Sequence, residues 1–233
     1  MTSQASRKRK EDLLLCEFGP VAPGPEPRKF AGGRPADLHD VFLAMGDILL
    51  KESVPLMAKF TAGKLIGLLD RRGVVLDIAK PECDTSLTSI ACAILRDAAL
   101  HSASHRRLST GLQSLIGRLN WYRGRGGPFG SVKFEDNHIH ALLAGPRALE
   151  HREDLRIGLT VLGPYTRFPD HNQFHSRVFL PLSDGEFRFG EGEWVRADIG
   201  DVMFNAAGYQ CAIRCTRNPM LLLWCQLEAP ERQ

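Results

Sequence analysis

The sequence predicts an α+β fold, in which a helical N-terminal region packs on a C-terminal antiparallel β-barrel. Two observations carry that prediction. Apolar residues recur at three- and four-residue spacing up to about Trp121, and beyond it the pattern breaks into short β-rich runs separated by Gly, Pro, Asp and Asn. At 233 residues the chain has the length for one substantial core or two modest ones. A composition of 43% hydrophobic and 24% charged residues is that of an ordinary globular protein.

Residues 1–36 are expected to form a flexible tail. They join a basic cluster, Arg7 to Lys10, to a Pro/Gly-rich stretch from Gly19 to Pro35 without apolar periodicity. The helical region is expected over residues 37–121. Leu38, Val41, Phe42, Met45, Ile48 and Leu49 put one apolar stripe on a first helix. A second is expected from about Pro55 to Leu69, with Gly73 as its C-terminal cap. Leu87, Ile90, Ala91, Ile94, Leu95 and Ala98 mark a third, and Leu108, Leu112, Leu115, Ile116 and Leu119 a fourth. The barrel is expected over residues 122–233, after a connector at Arg123 to Pro128. Its strands are predicted at Val132–Phe134, Ile139–Leu143, Ile157–Leu162, Val178–Leu182, Glu186–Phe189, Val202–Phe204, Ala212–Cys215 and Leu221–Gln226.

Charge excludes little but points nowhere strongly: 30 Lys and Arg against 27 Asp and Glu give no field that implies nucleic acid or an anionic membrane. The six cysteines, Cys16, Cys83, Cys92, Cys211, Cys215 and Cys225, have no Cys-x-x-Cys spacing and read as buried thiols. With no secretory core and no apolar run of about 20 residues, a cytoplasmic location is expected. His138 and His140 share one face of a predicted strand and read as surface histidines, since no nearby segment completes a metal site. Phosphate-binding glycine loops, Gly-x-Ser-x-Gly elbows and zinc-protease motifs are absent.

The segment Gly163 to Gln173, followed by Val178 to Leu182 and a turn at Asp184-Gly185, resembles the first cupin motif. Gly200 to Cys211 resembles the second. The resemblance implies a cupin barrel, a double-stranded β-helix or jelly-roll. Closer still, the stretch from Asn120 to Leu227, with Asn120-Trp121-Tyr122 and Arg152 to Gly158, is similar to the cupin-type dimethylsulfoniopropionate (DMSP) lyases. That family, the resemblance implies, binds a divalent metal and uses a tyrosine base to start a β-elimination giving dimethyl sulfide and acrylate.

Carried over residue by residue, the resemblance puts His171 on the first metal-ligating histidine. Gln173 falls on the second, Arg177 on the carboxylate and Cys211 on the last histidine, while Phe168 and Phe179 take the places of two tyrosines. A guanidinium in place of a carboxylate would repel a dication by roughly 6–8 kcal/mol at 4–5 Å. The expected function is therefore a DMSP-lyase-like cupin that binds a small anionic molecule, has no cofactor and lacks metal-dependent lyase activity. Its expected pocket is His171, Gln173, Arg177 and Cys211, walled by Phe168 and Phe179.

Two alternatives stay open. His171, His175 and Cys211 would rebuild a site for Zn, Fe, Mn or Ni, in a working carbon–sulfur lyase, if 171–179 is one uninterrupted strand. A barrel filled by its own side chains would leave a structural or partner-binding protein. Arg177 turned outward would instead pair with Asp170 or Glu186. Cupins commonly dimerise, so a homodimer is also compatible with the resemblance.

Overall fold

The computed structural model describes residues 28–29, 33–77 and 85–228. Four helices lead: α1 (Ala36–Leu49), α2 (Leu56–Leu69), α3 (Thr85–Ala98) and α4 (Ala103–Leu115). Prolines at 35 and 55 stand at the N-caps of α1 and α2. Ser102 caps α4 through its hydroxyl, which accepts the His105 backbone N–H at 3.2 Å.

Among the described residues twelve strands form two sheets. The larger contains, in spatial order, β1 (Arg28–Lys29), β2 (Val74–Asp77), β4 (Glu150–His151), β3 (His138–Gly145), β5 (Leu155–Leu162), β12 (Met220–Leu227), β7 (Arg177–Pro181) and β10 (Met203–Asn205). The smaller runs β6 (Arg167–Asn172), β11 (Gln210–Arg214), β8 (Gly185–Phe189) and β9 (Val195–Ala197). The helices cover the outer face of the larger sheet, with α2 on β12, β7 and β10 and α3 on β5 and β12. This is the expected α+β architecture.

The central strands of the larger sheet are buried on both faces, and their two-residue period sorts every side chain to one of two cores. Ile139, Leu159, Val178, Leu180, Leu223 and Cys225 pack against the helices. Leu142, Leu162, Phe179, Leu222 and Trp224 face the barrel interior, where Phe168, Phe187, Cys211 and Ile213 from the smaller sheet meet them. At Gly158 the interior has no room for a side chain, because a Cβ would come within 2.4 Å of the Trp224 indole.

Three expectations are corrected. Residues 132–134 are not a strand: Phe134 N–H reaches the Ser131 carbonyl and Asn137 N–H those of Lys133 and Phe134, which winds the segment into consecutive turns. Gly73 does not cap α2; it lies just before β2, with space for a Cβ closed by the His151 carbonyl at 2.4 Å. The C-terminal carbonyls of α2 are instead taken by arginines. Arg34 donates to Leu69 O at 2.7 Å, and Arg152 to Leu68 O at 2.9 Å and Arg71 O at 2.5 Å. The tail also ends earlier than residue 36, since Arg34 is ion-paired and β1 is hydrogen-bonded to β2. Residues 1–27 and 30–32, with Arg7 to Lys10 and Cys16, lie outside the described residues, as does Cys83 between β2 and α3.

Both arginines converge on Glu150, whose side chain is wholly buried and accepts from Arg34 at 2.6 and 2.9 Å, from Gly73 N–H at 2.8 Å and from Arg152 at 3.5 Å. Burial raises its pKa, but the bonds from Arg34 and Gly73 and the two positive charges outweigh that and hold it below the ordinary glutamate value. Glu150→Ala would leave Arg34 buried without its carboxylate and Arg152 with Asp154 alone, and a loss of about 3–5 kcal/mol is expected in chemical denaturation. Because the folded pKa is depressed, the stability from Glu150 is present above the ordinary glutamate range and lost as pH falls through the folded value.

Candidate ligand pocket inside the barrel

The polar residues of the interior come from the same parity as its apolar wall. On β3 the inward positions are His138 and His140; on β5, Thr160; on β7, Arg177; on β12, Gln226. Register then sets neighbours, with His140 opposite Thr160, Phe179 opposite Trp224 and Arg177 opposite Gln226. From the smaller sheet, His171 stands opposite Cys211.

Arg177 points inward, 1% exposed, and lines the barrel interior rather than turning outward. Asp170 lies instead between Arg167 at 2.7 Å and Arg188 at 2.8 Å, and Glu186 holds Arg214 at 2.5 Å. The Arg177 guanidinium lies 4.7 Å from the Trp224 ring centroid, and its Nε donates to Gln226 Oε1 at 2.7 Å, with Nη2 reaching the same oxygen. Gln226 passes the polarisation on, donating through Nε2 to Glu228 Oε1 at 2.6 Å.

The interior histidines are held neutral. Burial, and next the Arg177 charge, push His171 down to about 4. Burial likewise pushes His138 to about 4 and, with the charges of His138 and Arg177 added, takes His140 well below its ordinary value. His138 is locked: Gly124 N–H donates to its Nε2 at 2.7 Å, so the proton sits on Nδ1 and bonds the Phe134 carbonyl. Its ring stacks on Phe134 with centroids 3.6 Å apart. His140 shares Thr160 Oγ1 at 2.9 Å with Trp224, whose indole N–H donates to that oxygen at 3.1 Å. Tyr122 lies beside His140 with centroids 5.6 Å apart, and burial raises its hydroxyl pKa.

A cavity of about 10 Å³, the room of a single water, remains among Thr160, Phe168, His171, Arg177, Phe179 and Trp224. Four of the expected pocket residues therefore line one space. Gln173 and Cys211 are buried but are not part of that lining. The Gln173 side-chain oxygen accepts from Asn205 at 3.0 Å.

His175 goes elsewhere. The chain leaves the smaller sheet after Asn172 and enters the larger at Arg177, so 171–179 is a corner between sheets and its parity is interrupted. His175 Nε2 ends 3.4 Å from Glu228 Oε2. Among the described residues no group of three or more His, Cys, Asp or Glu is placed to hold a metal ion, and His171, His175 and Cys211 are not brought together as one.

His138 and His140 are a correction: both are fully buried rather than on the surface. The missed signal was the run Ala141 to Ala144 that follows them, apolar at both parities, which marks a strand without a solvent face. Thr160, Trp224 and Gln226 carried no sequence signal, since only the strand register brings them to Arg177 and His140. No helix among the described residues is long and apolar enough to cross a membrane.

Residues 71–222 match the family model described as dimethylsulfoniopropionate lyase. Among solved structures, a chain from the crystal structures of the DMSP lyases RdDddP and RnDddQII aligns with a TM-score of 0.59 at 18% identity, over 85% of this chain and 95% of that one. The DMSP lyase DddQ from Ruegeria pomeroyi DSS-3 aligns with a TM-score of 0.57 at 15% identity, over 86% and 95%. A cupin-2 domain, Rru_A2000 from Rhodospirillum rubrum, aligns at 0.40 and 8% identity, over 49% and 72%. Comparison with curated proteins gives no match.

Three buried neutral histidines give the barrel an acid limit. Their folded pKa values lie below the ordinary 6.5, at about 4 for His138 and His171, so the unfolded chain binds more protons between those values. Folding stability is expected to be full above about pH 6.5 and to fall progressively towards pH 4, read as the urea midpoint against pH. A His140→Gln variant is expected to flatten that slope.

Proposed function

We propose, for a chain that belongs to the DMSP lyase family, that the barrel interior is a pocket for a small anion centred on Arg177 and does not support metal-dependent carbon–sulfur elimination at the family's usual site. The observation that carries this reading is the direction of Arg177. Its guanidinium occupies the barrel interior at the position where the resemblance puts a metal-binding carboxylate. A divalent ion there would meet a positive charge, and the residues present do not fit one. His171 is the single histidine left of the motif, Gln173 is engaged with Asn205, and no other described ligand group completes a set.

An anion suits the same space. A guanidinium offers a planar fork to a carboxylate or similar oxyanion, and a low-dielectric interior strengthens that contact. The aromatic wall of Phe168, Phe179 and Trp224 keeps solvent out. The thiols of Cys211, Cys215 and Cys225, buried and outside any disulfide, support a reducing, cytoplasmic setting. A second reading, a structural barrel filled by its own side chains, is favoured by one observation, the cavity volume of about 10 Å³.

Purified untagged protein, dialysed against trace zinc, manganese, iron and nickel, is expected to hold far less than one metal per chain by elemental analysis. Its melting temperature is expected to rise with added formate, and this rise to disappear in Arg177→Gln. One metal per chain, lost in His171→Ala and Cys211→Ala, would overturn the proposal and call for a lyase assay with DMSP. Metal-free protein indifferent to formate and chloride would overturn it in favour of the filled barrel.

A further inference from the structure

Independently of the barrel interior, we infer that the outward face of α2 is an interface between two copies of this chain, paired antiparallel about a two-fold axis. The buried positions of α2, Ala58, Thr61, Ala62, Leu65 and Leu69, turn one side of the helix to the molecule. On the opposite side Leu56, Phe60, Gly63 and Gly67 recur at spacings of four, three and four, all exposed, which is the seam spacing of a two-helix contact. Leu56 is 78% exposed, and Phe60 and the adjoining Met57 are 55% exposed each. The neighbouring helix adds Leu43 and Leu50, seven residues apart on one face of α1 and also exposed. A Cβ on Gly63 would stand 3.9 Å from Leu50, and one on Gly46 3.5 Å from Ile66, so α1 runs antiparallel beside α2 and Leu50 borders the seam.

The size of this face and its two glycines identify what covers it. Leu43, Leu50, Leu56, Met57 and Phe60 together expose on the order of 500 Å² of apolar surface, in the upper part of the range for the largest patch on a monomer. The glycine backbone and the stems of Lys59 and Lys64 extend it towards the about 800 Å² per partner of a standard interface. Glycine inside a helix destabilises it relative to alanine, and the single chain requires neither of these two. A Cβ on Gly67 would meet nothing within 4 Å, and one on Gly63 only Leu50 at ordinary contact distance. Close approach of a second helix gives both a reason. The stripe is also complementary to itself, with its bulk at Leu56 and Phe60 and its gap at Gly63 and Gly67. Antiparallel pairing sets Phe60 of each copy into the gap at the partner's Gly63, an isologous contact, whereas parallel pairing would stack bulk on bulk and gap on gap. Lys59 and Lys64 flank the stripe on opposite sides, Lys59 held by the Glu52 carbonyl at 3.2 Å and Lys64 lying 4.2 Å from the Phe60 ring centroid, so their charges stay at the rim.

Sedimentation equilibrium of the full chain under reducing conditions, from low to high micromolar concentration, tests the inference. The parent is expected to reach the mass of two chains. Phe60→Glu, a change at a position exposed in the single chain, should keep the melting temperature of the dilute protein and raise the dissociation constant at least about tenfold. The double variant Gly63→Leu/Gly67→Leu separates a shaped interface from general adhesion. It adds apolar surface and helix propensity, so adhesion would strengthen, whereas a filled gap should weaken the pair at least about tenfold. A parent of single-chain mass at every concentration would overturn the inference, as would a dissociation constant unchanged in Phe60→Glu, which would put the contact elsewhere. Tighter association in the double leucine variant would overturn it too.

Discussion

A sheet buried on both faces is the constraint on which the rest of this molecule depends. Strands β3, β5, β12 and β7 have the helices on one side and the second sheet on the other, so none of their side chains has a route to solvent across the sheet. Alternation then leaves each residue a choice of two interiors. The helix-facing positions are uniformly apolar and behave as a conventional core. The opposite positions include His138, His140, Thr160, Arg177 and Gln226, every one of them buried. Polar groups reach the barrel interior because the register puts them there, and each must find its partner inside.

Those partners explain how a guanidinium is held in an apolar barrel. Arg177 gives two N–H groups to Gln226 Oε1 and lies against the Trp224 face, while Gln226 relays towards Glu228. Glu228 in turn is 2.9 Å from Arg156 and 3.4 Å from His175. The histidines meet the same field in the other direction, losing their protons to burial and to the nearby positive charge. A positive, proton-poor interior results. That electrostatic character is what separates the pocket from a site built of imidazoles and carboxylates around a dication.

The helices are fastened to the barrel by a different use of arginine. Arg34 and Arg152 close the carbonyl end of α2 and share Glu150, so one carboxylate ties the helix terminus, the approach to β2 and the strand β4 together. A glycine cap would have ended the helix without attaching it to anything. Here the cap and the domain contact are one structure, far in sequence and adjacent in space.

Local pattern was enough for the sequence alone to determine the order of elements. The 3.6-residue stripes on Leu38 to Leu49 and Leu108 to Leu119 and the β-rich runs after Trp121 each depend on neighbours a few residues away. The resemblance of the motifs likewise put His171, Arg177, Phe168 and Phe179 in one expected pocket, and these four line one cavity. Tertiary structure alone decided what lies across from them. Whether Arg177 turned inward, whether His175 joined His171, and whether His138 and His140 met water depended on which sheet each strand entered and what covered it. The corner after Asn172, the cover of four helices and the pairing of β12 with both β5 and β7 are long-range events. Burial and register are properties of such contacts, and no window of the chain contains both partners.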